Sequence, residues 1–569
     1  MGAVARQREA PEQEADLLTS ERPTSERPTP ARPSSPMTPA TPLFETRTVM
    51  KGWHHVVFWG LSGLLALATL QFGLYWYNID EWRDGRPWSM AVLTVVLLLF
   101  LAQYLQSWTT MPRMRRPVPP APEPDQRVAL ATTFVPGAEP LEMLELTVAA
   151  MVAVDYPHDT WVLDEKNDPA VAELCARLGA HHYSRHGRED LNRSEGSLKA
   201  RTKYGNINAW LSEEGFGEYD VIGFFDPDHI PEPDFLDRTM GYLRDPSVGF
   251  VQGAQIYYNQ GAGFIARGAA EESYSYYSST LMSAFGMGHT VMVGCHNVHR
   301  AEALEEIGGL AAHDADDLLT ALHYQRQGWH GVYVPEVTAG GITPVAWPAY
   351  LTQQRRWARS VLDIKLRHLP KLWPDLPKTS RWFSLLQGAS YPIDVALPMI
   401  GISLLTWILV TGEASILSRL FGQEFLMLLL VIAGINVFRQ VFFLEPDRER
   451  GLHWRAGVLR AAKWPWVALG MWEALVGSRT TYELTAKGSS TPLGARALLP
   501  HLFIGVVVLA AYAWSLATNR IIYWTMHFWG PFLTFISLGV FATGFWRPPT
   551  GYDRELWERW REGRSEGES

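Results

Sequence analysis

Val221-Ile222-Gly223-Phe224-Phe225-Asp226-Pro227-Asp228-His229 is the stretch that decides the fold of this chain. An apolar run with β-branched and aromatic side chains reads as a buried strand, and Asp-Pro-Asp reads as the turn at its carboxyl end. Outward from it, Trp161-Val162-Leu163 is a second such run, followed by a helical pattern over 169 to 178. Strands alternating with helices predict an α/β domain with a mostly parallel sheet wrapped by helices. Ligands in such sheets sit beyond the carboxyl ends of the strands, so residues just after apolar runs carry the chemistry.

Side chains two apart on an extended chain point the same way, so Asp226 and Asp228 can face one hard cation, Mg²⁺ or Mn²⁺. Spacing alone leaves a solvated strand-end turn equally open, and Asp314-Ala315-Asp316 repeats the pattern. The run at 161 to 163 also ends in an acidic pair, Asp164-Glu165. A carboxylate there can accept the imide N–H of a uracil, or can simply precede a helix whose dipole it complements. His313-Asp314-Ala315-Asp316-Asp317 crowds carboxylates ahead of an amphipathic stretch over 318 to 324. Neighbouring carboxylates raise one another's pKa, which suits a base working near neutral pH, while acidic residues at a helix start are also ordinary dipole partners. In Gln353-Gln354-Arg355-Arg356-Trp357 a helix places Gln353, Arg356 and Trp357 on one face. That face offers an amide, a phosphate-binding guanidinium and an indole for a sugar to stack on. Arg355 and Arg359 read instead as side chains snorkelling at a membrane surface.

With 569 residues the chain has room for a catalytic domain and a second structural region. Its strongly apolar stretches are confined to the two ends. The net charge of -9, with no basic stripe, argues against a nucleic-acid partner. Cys175 and Cys295 make no disulfide framework and read as free thiols in a reducing cytosol. Residues 1 to 45, rich in Pro, Glu, Ser, Thr and Arg, predict a disordered tail, without the apolar stretch of a cleavable signal. Apolar runs at 54 to 77, 88 to 108, 393 to 412, 421 to 443, 499 to 518 and 521 to 545 predict six membrane spans. A shorter run at 464 to 477 is expected in the membrane interface, and Trp82, Trp88, Trp524 and Trp546 near span ends suit an aromatic belt. Arg47, Lys51, Arg113, Arg115 and Arg116 flank the first two spans, and Arg448, Arg450, Arg455, Arg460 and Lys463 follow the fourth. The positive-inside rule then places both termini and the central domain in the cytosol, on a cytoplasmic (inner) membrane. The expected division is a tail to 45, two spans over 46 to 116, an α/β domain over 117 to 380, four spans over 381 to 546, and a tail over 547 to 569.

The order of these motifs resembles that of the processive, membrane-embedded family 2 glycosyltransferases, the bacterial cellulose synthase catalytic subunits above all. The resemblance runs through Asp164, Lys203-Tyr204-Gly205-Asn206, Asp226-Pro227-Asp228-His229, Val251-Gln252, Gly294-Cys295-His296-Asn297 with Arg300, Asp316-Asp317, Gly328-Trp329 and Gln353-x-x-Arg356-Trp357. Tyr482-Glu483-Leu484-Thr485-Ala486-Lys487-Gly488 looks like the family's gating loop. The resemblance implies a GT-A-like domain inserted between transmembrane helices, a UDP-sugar donor with UDP-glucose favoured, and a growing glycan as acceptor. It implies that Asp164 contacts uracil, Lys203 and Arg356 the diphosphate, Asp226 the donor, Asp226 and Asp228 the Mg²⁺ or Mn²⁺, and Trp357 the acceptor end, with Gln353 on the same face. Thr485 and Lys487 would reach the phosphates, and Asp317 would be the general base with Asp316 beside it. The implied product is a β-linked polysaccharide made by single inverting displacements and passed through the bilayer, with a periplasmic or cell-envelope export partner. The alternative is a non-processive family 2 transferase that modifies a lipid or short glycan. Ala315-Asp316-Asp317 replaces the family's Thr-Glu-Asp, residues 134 to 140 lack its customary Tyr-Asn, and the stretch after Trp546 is expected to be too short for a cyclic-di-GMP-sensing PilZ domain.

Overall fold

The computed structural model describes residues 43–77, 87–412, 423–478, 498–520, 526–545 and 554–565. Two short strands, β1 (Thr46–Thr48) and β2 (Arg115–Pro117), pair antiparallel across the base of a hairpin formed by helices α1 (Gly52–Tyr77) and α2 (Pro87–Thr110). This ladder brings the chain before α1 and the chain after α2 to the same end of the hairpin. Inside it Phe58 stacks on Trp108 with ring centroids 4.6 Å apart, and the Trp108 indole N–H donates to Ser62 Oγ at 3.0 Å.

The remaining strands are β3 (Val128–Phe134), β4 (Asp159–Asp164), β5 (His181–Tyr183), β6 (Val221–Phe225), β7 (Ile230–Pro231), β8 (Val248–Tyr257), β9 (Asn297–Arg300) and β10 (His330–Gly341). They form one sheet in the order β5-β4-β3-β6-β9-β8-β10-β7. β5, β4, β3 and β6 run parallel, as the alternating sequence predicts. β9 lies antiparallel between β6 and β8, and β10 runs parallel to β8 with β7 antiparallel at the edge, so the sheet is mixed in a GT-A-like way.

Helices α3 (Leu141–Val152), α4 (Pro169–Leu178), α5 (Lys203–Trp210), α6 (Phe264–Ser275) and α7 (Asp316–Arg326) accompany the sheet. The period-2 alternation of β6 feeds two separate cores. Ile222 and Phe224 pack with Leu163, Trp210 and Tyr324, whereas Val221 and Phe225 pack with Leu130, Phe235 and Val251. Burial of both faces explains why β6 reads as an unbroken apolar run. α4 shows the local signals at work: Asp168 caps it by accepting from Ala170 N at 2.9 Å, Pro169 starts it, and Gly179 ends it in the left-handed conformation.

The rest of the chain forms α8 (Trp347–Asp363), α9 (Lys378–Thr411), α10 (Gln423–Arg439), α11 (Trp454–Val476), α12 (Leu499–Ala517), α13 (Met526–Thr543) and α14 (Arg554–Ser565). Among the described residues, five helical segments are long and apolar enough to cross a membrane: Gly52–Leu74, Lys378–Thr411, Phe425–Phe442, Leu499–Ala517 and Met526–Thr543. The run at 88 to 108 falls on α2, a 24-residue helix outside that set. α9 begins fifteen residues ahead of the apolar run at 393, with Pro392 and Pro398 inside it.

The run at 464 to 477, expected in the membrane interface, forms the second half of α11, a 23-residue helix with Pro465 in its interior. The cations that broke its hydropathy are paired, Arg455 with Glu271 at 3.2 Å and Lys463 with Glu272 at 2.9 Å, so the helix runs on through them. α11 is thereby fastened to α6 and lies against α8 and α9. The loop at 482 to 488, with Thr485 and Lys487, lies outside the described residues, as do Trp82, Trp524 and Trp546.

Candidate functional site

The register of β3 aligns Phe134 with Asp164 on one side and Thr132 with Phe225 on the other, so the residues that follow these strands emerge at one edge of the sheet. There they open onto a cavity of about 1230 Å³. Its walls include Lys203, Asp226, Asp228, Asp316, Asp317, Gln353, Arg356 and Trp357, contributed by four separate segments of the chain.

Asp164 is not in that wall. It is fully buried, and its oxygens accept from Lys166 N at 2.9 Å, Asp168 N at 2.5 Å and His182 Nε2 at 3.2 Å. It braces the turn after β4, and its neighbours Glu165 and Lys166 face the cavity together with Thr133 and Glu139. Arg185, which the sequence reading missed, is also fully buried. Its guanidinium pairs with Glu165 at 3.2 Å and donates to the carbonyls of Leu191, Leu198, Lys199 and Thr202. One side chain thus holds the whole loop that leads into α5.

Lys203 is the first residue of α5, which Thr202 caps by accepting from Gly205 N at 3.1 Å. A Cβ on Gly205 would lie 2.1 Å from the Lys199 carbonyl oxygen, so only glycine lets the loop approach this closely. Lys203 Nζ donates to Asp226 Oδ1 at 2.5 Å and to the Gly294 carbonyl at 2.9 Å. Burial works against its charge, but the carboxylates of Asp226 and Asp316 more than offset this and hold it well above the ordinary lysine range. The cation is therefore permanent.

Asp228 is buried with Oδ1 3.1 Å from His229 Nδ1, and the Gln255 amide nitrogen lies 2.8 Å from His229 Nε2. Gly341 on β10 makes room for this ring, since a Cβ there would sit 2.0 Å from Nε2. Asp226, Asp228 and His229 each present one ligand atom, all within 4.8 Å of one another. Two carboxylates at that spacing on the cavity wall suit a small, oxygen-loving divalent cation.

Asp316 and Asp317 form the first turn of α7. Burial pushes the Asp317 carboxyl up to about 7, with the Asp316 carboxylate adding to the effect and the Leu318 N–H opposing it. Asp316 is raised as well, again chiefly by burial. A carboxyl group poised near neutral pH can accept a proton from a hydroxyl.

On α8, Gln353, Arg356, Trp357 and Ser360 face the cavity, as a helical stripe predicts, and the Trp357 indole keeps 40% of its surface open. Arg355 and Arg359, expected to snorkel at a membrane surface, are each ion-paired within the protein. Arg355 Nε lies 3.1 Å from both Glu473 oxygens on α11, and Arg359 pairs with Asp314. Packing of α11 against α8 brings Glu473 to Arg355. Glu272 and Tyr276 of the sheet domain's helical segment, and Gln387, Ser390, Tyr391 and Asp394 of α9, line the same cavity. An aspartate in an otherwise apolar helix is a signal that could have located this extension from sequence.

Among known proteins, the glycosyl transferase family group 2 matches residues 221 to 441. Cellulose synthase 1 of Komagataeibacter xylinus is 30% identical over 328 residues, covering 53% of this chain and 19% of that protein. The UDP-forming cellulose synthase catalytic subunit of Pseudomonas fluorescens is 27% identical over 317 residues, covering 54% of this chain and 39% of that protein. The matches thus span less than half the length of either relative. Among solved structures, the mannosyltransferase PcManGT from Pyrobaculum calidifontis, in complex with GDP-Man and Mn²⁺, aligns with a TM-score of 0.45 and 16% identity, over 68% of this chain and 99% of that one.

Proposed function

We propose that this chain, which carries a family 2 glycosyltransferase domain homologous to those of bacterial cellulose synthases, polymerises a UDP-sugar into a β-linked polysaccharide and passes it into the membrane. One observation carries the reading: a single cavity is lined by Lys203, Asp226 and Asp228, by Asp317, and by Trp357 with polar residues of α9. Donor, base and acceptor path therefore share one space.

The donor diphosphate is assigned to the part of the cavity where Lys203 and Arg356 supply positive charge. Glu165, Lys166 and Thr133 stand where the base would lie, so the uracil contact expected of Asp164 passes to its neighbours. Asp226 and Asp228 would hold Mg²⁺ or Mn²⁺, which when bound neutralises the charge that grows on the leaving diphosphate. Trp357 stacks against the terminal sugar of the acceptor and turns its hydroxyl toward Asp317. Asp317 takes the hydroxyl proton as the oxygen attacks the anomeric carbon. The bond from that carbon to the diphosphate oxygen breaks, and UDP leaves with the electron pair. One displacement inverts the anomeric configuration, which yields a β-linkage from an α-linked donor.

Gln387, Ser390, Tyr391 and Asp394 extend the cavity along a membrane helix, which favours a lengthening polymer over a lipid or short glycan as acceptor. The β1–β2 ladder supports a catalytic domain and N-terminal flank on one side of the bilayer, and the positive-inside rule makes that side the cytosol. UDP-glucose is the favoured donor. The test is to supply membranes containing the protein with Mg²⁺ and each labelled UDP-sugar in turn, then digest the product with linkage-specific hydrolases. A polymer cut only by a β-glucan hydrolase is expected from UDP-glucose. Absence of turnover with every donor, or transfer of one sugar only, overturns the reading.

A further inference from the structure

The segment ahead of Asp317 makes two contacts that the transfer chemistry does not use. His313 Nε2 lies 3.2 Å from Asp363 Oδ2 at the last residue of α8, and Asp314 pairs with Arg359 one turn earlier in the same helix. Arg356, Arg359 and Asp363 recur at helical spacing, so the stripe of α8 that presents Arg356 to the cavity also grips the segment that carries the base.

His313, Asp363 and His368 each offer a ligand atom, all within 4.8 Å of one another, a grouping that invites a metal. The hydrogen bonds argue otherwise. Ala315 N donates to His313 Nδ1 at 3.0 Å, which leaves the ring proton on Nε2, facing Asp363. A metal at Nε2 would have to send that proton to a nitrogen already accepting a backbone N–H. Asp363 is engaged by Arg367 as well, and His313, His368 and Arg367 hold its carboxyl below the usual range in spite of burial. The group is a brace.

It rests on an apolar seam in which Leu319 and Leu322 of α7 pack with Ile364 and Leu369 just beyond α8, with Leu318 alongside. That seam keeps the two helices together when a single bridge is removed.

We propose that the His313–Asp363 and Asp314–Arg359 bridges form a clamp that sets the position of Asp317 relative to Arg356 and Trp357, making His313 and Asp314 positioning residues for acceptor deprotonation. Transfer to a sugar hydroxyl requires the base, the hydroxyl and the anomeric carbon in register, and a displacement of about 1 Å costs on the order of 100-fold in rate. Water is small and needs no such register, so loosening the clamp penalises transfer more than donor hydrolysis.

The inference rests on the transferase reading, and its test separates the two. Full-length protein in lipid nanodiscs is prepared as wild type, Asp314→Asn, His313→Asn, and the charge-swapped pair Asp314→Arg with Arg359→Asp. UDP release, polymer formation and the donor KM are measured with UDP-glucose, and backbone hydrogen exchange is followed over 311 to 318. Both single variants are expected to lose about tenfold or more in polymer kcat, with KM nearly unchanged, a larger share of donor hydrolysed, and faster exchange confined to that segment. The swapped pair is expected to regain much of both. Exchange that stays at the wild-type rate overturns the clamp, as does faster exchange with an unchanged ratio of transfer to hydrolysis. A wild type that releases no UDP from any UDP-sugar overturns the transferase reading instead, and the exchange measurement still decides whether the bridges hold the segment.

Discussion

Asp317 and Lys203 show how far a residue's chemistry is set by what surrounds it. With its carboxyl pushed up to about 7, Asp317 is protonated and idle in acid and becomes a base as pH rises through that value. The polymer rate is therefore expected to climb with pH to a plateau above about 7, and a rate flat from pH 5 to 8 would count against this assignment. Asp317→Asn removes the proton acceptor and should lower kcat by about 100- to 10,000-fold, with donor binding retained in an equilibrium titration. Lys203 is bound to Asp226 at 2.5 Å, so Lys203→Met removes both the proposed phosphate contact and the counter-charge of a carboxylate. A loss of about 1.5–3 kcal/mol, or roughly 10- to 100-fold in donor affinity, is expected from calorimetric titration with UDP. The chemical types at these positions were legible in the sequence. Their pairing was not, because 23 residues separate Lys203 from Asp226 and only the sheet brings them together.

At the scale of elements, the strand-then-carboxylate pattern was legible for β4 and β6, since burial of both faces leaves an apolar run and the site lies just past it. It misplaced Asp164, whose carboxylate turns back into the β4 turn while Glu165 faces the cavity. Successive residues point in opposite directions at the end of a strand, and local sequence does not say which one the cavity receives. The buried Arg185 was invisible for a different reason: its partners are mainly backbone carbonyls, which carry no residue signature. Arg185→Met takes one donor from each of those carbonyls and the buried counter-charge from Glu165, and a loss of about 3–5 kcal/mol is expected, read as a lower unfolding midpoint in detergent. Between elements, Gly470 of α11 lets that helix lie on α8, where an added Cβ would come 2.4 Å from the Arg355 carbonyl oxygen. Gly470→Leu is expected to destabilise the protein by about 1–3 kcal/mol and to reduce polymer synthesis, because α8 carries Arg356 and Trp357.

At the scale of the whole molecule, the cavity runs from the sheet edge to α9, so the site and a membrane helix are parts of one construction. Tyr391→Ala and Asp394→Leu alter the α9 wall of the cavity, and are expected to shorten the product while UDP release continues, as size-exclusion chromatography of the glycan would show. Unchanged product length in both would separate the α9 extension from the polymer path. By itself the sequence determined the α/β class, the helices flanking it and most of the residue types that line the cavity, because these follow from hydropathy, periodicity and side-chain type, all of which act over a few residues. Tertiary structure alone decided which carboxylate faces the cavity, that α11 is one helix with its cations paired, and that the segment before Asp317 is bridged to α8. Each of those depends on contacts between residues far apart in the chain, where burial and the choice of partner are settled only when the elements pack.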